Sequence, residues 1–361
     1  MKQHYFWFLL FIYIVVVSYL ASTLPISPHE AKMLYASHDV TASLMQWGEQ
    51  HIGGFFGLRL FSFLFGFLSI GLFYQVSRLY LKKEEDIFLA TTIFMWLPGL
   101  LTAAIQANSA ILVIVLVLFF ILVYEKGYFV LSLPLMLGLF FVHEASIIFF
   151  IALLIYGVVH KDKKLAIITA SFLITFVYLA KGISIGGRPS GHFAEIFGLY
   201  ATVFSPLVFL YFFYAMYRIL LREEKTLLWY ISFTALVFSL LLSIRQRVYI
   251  TDFGPYVMIA VVLMIEVFNK SIRVRLPQFQ RKYRWGFYTV IAVLIFNTLL
   301  IVFHKPIFAL MDDPKKHFAY RIYKPYWLMQ ELRQKGQSCF DTHDERLRYQ
   351  LRYYGVPSCQ K

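Results

Sequence analysis

The sequence predicts an all-α polytopic membrane protein with about 11 transmembrane helices and a small polar C-terminal tail. Three observations carry this. Of 361 residues, 60% are hydrophobic and only 15% charged, with 38 Phe and 25 Tyr, more apolar surface than a soluble domain of this length can hide. The apolar residues come in blocks of about 15–22, the length that crosses ~30 Å of hydrocarbon. The blocks lack the period-two alternation of barrel strands, which removes the other structure able to span lipid.

In chain order, Tyr5–Leu24 is the first span. It follows a short start with Lys2, and its apolar core is long for a signal peptide. Ala21-Ser22-Thr23 is a weak cleavage site, so an uncleaved anchor is expected. Further spans are expected at Phe55–Val76, Ile87–Ile105, Ser109–Val123, Tyr128–Val142, Ala145–Val159, Leu165–Ala180, Ile196–Leu220, Leu227–Ser243, Pro255–Phe268 and Phe287–Phe303. With the N-terminus inside, alternate loops carry Arg78/Lys82/Lys83, Lys161/Lys163/Lys164, Arg218/Arg222/Lys225 and the run from Lys270 to Arg284, as cytoplasmic loops should. The net charge of +14 is therefore read as a topology signal, not as a nucleic-acid partner, because no nucleic-acid module accompanies it. The expected division is a transmembrane domain over 1–303, with an outer loop at 24–54, and a tail over 304–361.

That outer loop, Leu24 to Gly54, is the first break in hydrophobicity and is rich in ionisable groups. His29-Glu30 follows Pro25 and Pro28, which puts Glu30 in a first helical turn, where the helix dipole favours a carboxylate. The same position suits a general base, or an acid holding a divalent cation, near an acceptor group. Other polar groups fall on the same predicted side. Asn108 is a natural N-cap for a helix starting at Ser109. His143-Glu144 interrupts an apolar stretch, either as an interfacial turn or as a cation and carboxylate beside a cavity. Gly186-Gly187-Arg188-Pro189-Ser190-Gly191 has phosphate-cradling residue types but lacks the Lys-Ser/Thr ending of a nucleotide loop, and a flexible outer loop is the alternative. Arg245, Arg247 and Tyr249 run against the positive-inside bias. Arginine's planar fork suits a lipid phosphate, while pairing with Asp252 or ordinary headgroups is the other reading. No metal motif of His/Cys spacing, serine-hydrolase elbow, kinase set or dinucleotide fingerprint occurs. Any metal used would be a hard divalent cation on carboxylates, of which there are few.

The only two cysteines, Cys339 and Cys359, lie in the tail. Charge bias puts the tail outside, in a bacterium the periplasm, where disulfides persist. A Cys339–Cys359 bridge is expected, gaining roughly 3 kcal/mol in the chain-entropy model.

The order of features resembles the membrane-embedded GT-C glycosyltransferases that use polyprenyl-phosphate sugars, the group of the protein O-mannosyltransferases and the lipid A aminoarabinose transferase. The residues that carry the likeness are PHEAKMLYA, then GLRLFSFLFGFLSIGLFYQVSRLYL, the paired spans LPGLLTAAIQANSAILVIVLVLFFILVYEKG, and the later RQRVYITDFGPYVMIAVVL. This chain has His29-Glu30 where the family usually has an acidic pair, Asn108 where it often has a second Asp, and His143-Glu144 in place of a Lys-Gly-Pro-like segment. The resemblance implies that the outer-loop carboxylate activates an acceptor while basic side chains hold the donor phosphate. With the polar residues above, the expected site takes Glu30 and His29 for catalysis, and Arg245, Arg247, Tyr249, His143, Glu144, Asn108 and Arg188 for substrate binding. The resemblance also implies a multi-pass protein of the bacterial inner membrane, transferring a hexosyl or pentosyl group from a polyprenyl-phosphate donor to a lipid, glycan or protein at the periplasmic face. A non-catalytic relative that binds or translocates polyprenyl-linked lipid is the principal rival. A small-molecule transporter is the weaker one, since no inverted repeat is visible.

Overall fold

The computed structural model describes residues 1–179 and 191–359. These residues form nineteen α-helices and no strand. In order the helices are α1 (Gln3–Thr23), α2 (Pro28–Ala36), α3 (Val40–His51), α4 (Gly54–Tyr80), α5 (Glu84–Met95), α6 (Pro98–Ile105), α7 (Ser109–Glu125), α8 (Phe129–Val142), α9 (Ile147–Val159), α10 (Lys163–Tyr178), α11 (Phe193–Phe204), α12 (Pro206–Arg222), α13 (Leu227–Ser243), α14 (Ile250–Met258), α15 (Val261–Arg273), α16 (Pro277–Val302), α17 (His304–Ala309), α18 (Tyr320–Gln334) and α19 (Glu345–Tyr353).

Most predicted spans coincide with a helix to within a few residues, but the picture of about 11 uniform spans changes. Among the described residues only α1, α4 and α16 are singly long and apolar enough to cross, or up to six spans if three bent pairs each count as one. The pairs are α5–α6, bent by 58°, α11–α12, bent by 107°, and α14–α15, bent by 43°. Two of these breaks have a local cause. Pro98 opens α6, and Pro206 opens α12 directly after Ser205, which sits at a left-handed φ of 81°. A proline cannot donate to the preceding turn, so each helix restarts in a new direction. The shorter apolar helices run 10–17 residues, at most about 25 Å at ~1.5 Å per residue, which is less than the hydrocarbon thickness.

The chain forms two compact units. The first comprises Met1–Tyr13, Phe65–Leu101 and Ser109–Thr298. In it α9 packs on α10 and α13, α14 packs on α13 and α7, and α15 packs on α5 and α12. Helix hydroxyls bond back to carbonyls one turn earlier, Thr91 to Ile87, Thr169 to Leu165 and Thr175 to Ser171. That satisfies a donor without water, as hydrocarbon requires. The outer surface is apolar: Ile167, Ile174 and Val177 of α10, and Trp285, Tyr288 and Phe296 of α16, are exposed. A surface of this kind belongs in lipid.

The second unit comprises Ile14–Leu64, Thr102–Asn108 and Leu299–Lys361. The predicted division at residue 303 is not the one the contacts make, since the tail groups with the outer loop. Ile26, Ala31, Met33, Leu34, Met45, Leu58 and Ala107 form one core, against which Tyr349, Tyr353 and Tyr354 of the tail pack. The tail is tied down by polar contacts too. Gln350 Nε2 donates to the Ile26 carbonyl at 2.8 Å, and the Ile26 amide donates to the Tyr354 hydroxyl at 3.2 Å. Cys339 and Cys359 are joined in a disulfide. The loop 24–54 is itself two helices. Asp39 caps α3 by accepting from the Ala42 amide at 2.7 Å. Helix α3 crosses α4 at Gly48 and Gly57, where a Cβ on Gly57 would stand 2.6 Å from the Gly48 carbonyl oxygen. Only hydrogen at both positions permits this approach.

Candidate functional site

In the second unit Glu30 is the hub. Ser27, Glu30 and the start of α2 form a reciprocal capping box: the Ser27 hydroxyl accepts from the Glu30 amide at 3.2 Å, and the Ser27 amide donates to Glu30 Oε2 at 2.8 Å. Arg59, early in α4, donates to the same carboxylate from Nε (2.7 Å, to Oε1) and Nη2 (2.8 Å, to Oε2), the parallel two-point geometry for which guanidinium is suited. The Ala107 amide supplies a fourth donor at 2.9 Å. Arg59 spends its remaining donors on the carbonyls of Ala21, Leu24 and Pro25 at 2.7–3.0 Å. Both side chains are 0% exposed. Burial alone would push the Glu30 carboxyl up. The Arg59 charge and hydrogen bonds, with the Ser27 and Ala107 amides, outweigh it and hold the group below the usual carboxylate range. The result is a carboxylate held in its ionised form, whose two oxygens each accept two bonds.

His29, the neighbouring residue, is exposed at its face. Loss of water around the ring lowers its pKa from the ordinary 6.5, against the pull of Glu30, which raises it. The ring is therefore neutral at pH 7 and able to accept a proton. Asn108 is half-buried and immediately precedes α7.

The other predicted residues belong to the first unit. His143 closes α8 and starts a 3₁₀ turn over Glu144–Ser146. Its Nδ1 accepts from the Ala145 amide at 3.1 Å, which leaves the proton on Nε2, 3.6 Å from Asp252 Oδ1. The same turn reaches α14 again through Tyr256, whose hydroxyl donates to Ser146 at 3.1 Å. Glu144 is exposed. Arg247 does not take Asp252, the partner weighed for it from sequence. It pairs with Glu195 of α11, Nε to Oε1 at 2.6 Å, and Glu195 Oε2 in turn meets His192 Nδ1 at 3.0 Å. Arg245, Arg247 and Tyr249 are all exposed. They precede α14, so cationic and aromatic groups crowd the start of that helix. Arg188 lies outside the described residues, and nothing is assigned to it.

Sequence reasoning passed over two residues that the geometry makes central, Arg59 and Ser27, and weighed Asp252 only as a partner for the nearby arginines. Arg59 carried a readable signal, an arginine within an apolar run on the predicted outer side, the argument used for Arg245 and Arg247. The Ala107 amide carried none, since any residue type supplies it. Among the described residues no three His, Cys, Asp or Glu side chains gather into a group that could hold a metal ion, so the divalent cation weighed from sequence has no ligand set there.

No protein-family model matches this sequence, and no curated protein matches it. Solved structures do match in fold. ArnT from Cupriavidus metallidurans in the apo state superposes with a TM-score of 0.59 at 14% identity, covering 99% of this chain and 85% of that one. The same protein bound to undecaprenyl phosphate gives a TM-score of 0.58 at 13% identity, covering 98% of this chain and 76% of that one. At this identity the likeness establishes the fold, and the chain is a multi-pass membrane protein with a GT-C-like fold.

Proposed function

We propose that this GT-C-like chain is a membrane glycosyltransferase that moves a sugar from a polyprenyl-phosphate donor to a lipid, glycan or protein acceptor at the periplasmic face. The observation that carries the reading is the near-complete fold likeness to a structure holding undecaprenyl phosphate. The exposed Arg245 and Arg247 support it, because guanidinium groups at the start of α14 suit a phosphate diester and its departing charge. Arg247 holds Glu195 in this arrangement, and a donor phosphate would take that carboxylate's place. Tyr249, His143 and Glu144 line the same polar end of the unit and would contact the sugar or the phosphate.

The acceptor-side roles divide between two neighbours. His29, neutral and exposed, takes the acceptor proton. Glu30, with both oxygens engaged, acts as a positioning residue: it fixes the start of α2 and hence the place of His29. The bond that forms joins the acceptor oxygen or nitrogen to the anomeric carbon. The bond that breaks is the anomeric carbon–oxygen bond, and the polyprenyl phosphate leaves with the electron pair.

The saturation of Glu30 also favours a second reading, a relative that binds polyprenyl-linked lipid without transfer. One purified sample decides between them. It is given a polyprenyl-phosphate sugar labelled in the sugar, with an extract of membrane lipid and glycan acceptors, and both retained donor and released polyprenyl phosphate are measured. Transfer that falls at least tenfold in His29→Gln, with donor binding kept, supports the enzyme. Binding with no sugar release in the wild type rejects it in favour of the lipid-binding relative.

A further inference from the structure

A second polar site lies in the first unit at the C-terminal ends of α12 and α15, where the sequence puts cytoplasmic loops. A cavity of about 440 Å³ there is lined by Tyr214, Tyr217, Arg218, Arg222, Ser271 and Arg275, among others. Three arginines in one cavity is a large positive charge, and little of it is neutralised. Among the described residues Glu223 is the one carboxylate paired with them, 3.7 Å from Arg218 Nη2, and it is shared with Lys270 at 2.8 Å. Lys270 is shared again with Glu266 at 2.9 Å. Arg275 stacks its guanidinium 4.1 Å over the Tyr283 ring, which orients the group without cancelling its charge.

Arg218 gives the independent sign of a ligand. Its Nη1 donates to the Ser271 hydroxyl, yet its Nε is buried and has no acceptor among the described residues. A buried guanidinium N–H left without a partner is costly and calls for an explanation. The same guanidinium lines the cavity, so an oxyanion there would offset the charge that this unmet donor leaves uncompensated. The surroundings say which kind. Tyr214, Tyr217, Leu221 and Val274 at the rim are exposed, the first three on the apolar outer face of α12. An aromatic and apolar rim around a cationic floor matches a lipid at the interface, its chains outside and its phosphate within.

We infer that this cavity binds the phosphate headgroup of an anionic glycerophospholipid. The site is built from residues other than those assigned to sugar transfer, and it does not depend on that assignment. Removal of two of its cations weakens anionic-lipid binding about 30-fold, roughly 5- to 6-fold for each cation near a charged membrane surface.

The test uses the full chain, purified in detergent, with Arg222→Gln/Arg275→Gln as the principal variant and Arg222→Lys/Arg275→Lys as the charge-keeping control. Both positions are exposed and lie at helix ends, and elution as a single symmetric species confirms folding. Phosphatidylglycerol, phosphatidylcholine and inorganic phosphate are each titrated, read as lipid retained per chain and as shift in Tm. The expected result is retention of phosphatidylglycerol over phosphatidylcholine by the wild type, loss of it in the glutamine variant, and substantial recovery in the lysine variant. Equal phosphatidylglycerol retention in wild type and glutamine variant overturns the site. A Tm rise with inorganic phosphate but none with phosphatidylglycerol overturns the lipid as its occupant.

Discussion

Replacement of Glu30 by Gln is the sharpest probe of how the second unit holds together. Gln keeps the shape and removes the charge and one acceptor oxygen. Oε1 receives Arg59 Nε and the Ala107 amide, and Oε2 receives the Ser27 amide and Arg59 Nη2. Whichever way the new amide is turned, its NH₂ faces two donors. Two hydrogen bonds are lost, and each buried donor left unmet costs about 1–3 kcal/mol. Arg59, 0% exposed, is also left as a buried charge without its counter-ion. Breaking a buried pair from one side costs about 3–5 kcal/mol, and the two routes to the number agree. Because the pair is fully buried, solvent screening does not reduce the figure. The assay is thermal unfolding of the purified chain in detergent, for Glu30→Gln, Arg59→Met and the double variant. Both single variants should unfold well below the wild type. The double variant should fall short of the sum of the singles by at least about 1 kcal/mol, since it removes the orphaned charge along with the pair. A Glu30→Gln protein that matches the wild type to within about 0.5 kcal/mol, a typical surface substitution, would refute the reasoning.

Other outcomes follow from the same geometry. Acid should destabilise the second unit in two stages. His29 has a folded pKa lowered from 6.5, so the unfolded chain binds its proton first and stability falls as pH drops below about 6.5. Glu30 is lowered from 4.5, so its contribution is complete above about 4.5 and is lost as pH falls through its depressed folded value. Tm measured against pH should lose the upper stage in His29→Gln and keep the lower one. Gly57→Ala puts a Cβ against the Gly48 carbonyl and should cost about 1–3 kcal/mol or more, read as a lower Tm, while Gly71→Ala in the same helix, which meets nothing within 4 Å, should not. Cys339→Ser/Cys359→Ser should loosen the tail by roughly 3 kcal/mol, seen as faster protease cleavage after α18, and thiol labelling of the wild type should require reductant. Arg247→Gln should weaken polyprenyl-phosphate retention about tenfold or more, with Tm nearly unchanged because the Arg247–Glu195 pair is largely solvent-exposed.

Much of the helical layout was legible because hydrophobic blocks are long and their ends are marked by charge. Leu227–Ser243 was expected over the residues it occupies. The bends were harder. The block at 196–220 reads as one run: Pro206 marks a break, but the 107° size of the turn rests on a left-handed backbone at Ser205 that residue type alone does not announce. The Pro98 break was readable in principle, since a proline ends the hydrogen-bonding of the preceding turn. In the candidate site, Glu30 stood out in the sequence, but what it meets was not visible. Two of its four donors are backbone amides, and the third and fourth come from an arginine 29 positions later in what looked like an ordinary span. Sequence periodicity describes one helix at a time, whereas partners such as Arg247–Glu195 and His143–Asp252 depend on which helix ends meet.

The Glu30–Arg59 cluster also bears on how the chain is made. Arg59 lies in the first turns of α4, one of the three helices able to cross a membrane alone. As that segment leaves the ribosome and enters the bilayer, an unaccompanied arginine opposes its insertion, by roughly 2.5–3.5 kcal/mol at mid-depth and less near the edge. Its counter-charge and three of its carbonyl acceptors lie upstream, at residues 21–30, and have already been synthesised. The last donor to Glu30, the Ala107 amide, emerges only after α5 and α6. Synthesis thus sets an order of assembly: the partners at residues 21–30 precede Arg59, and the cluster closes only when the bent pair α5–α6 and Ala107 have followed.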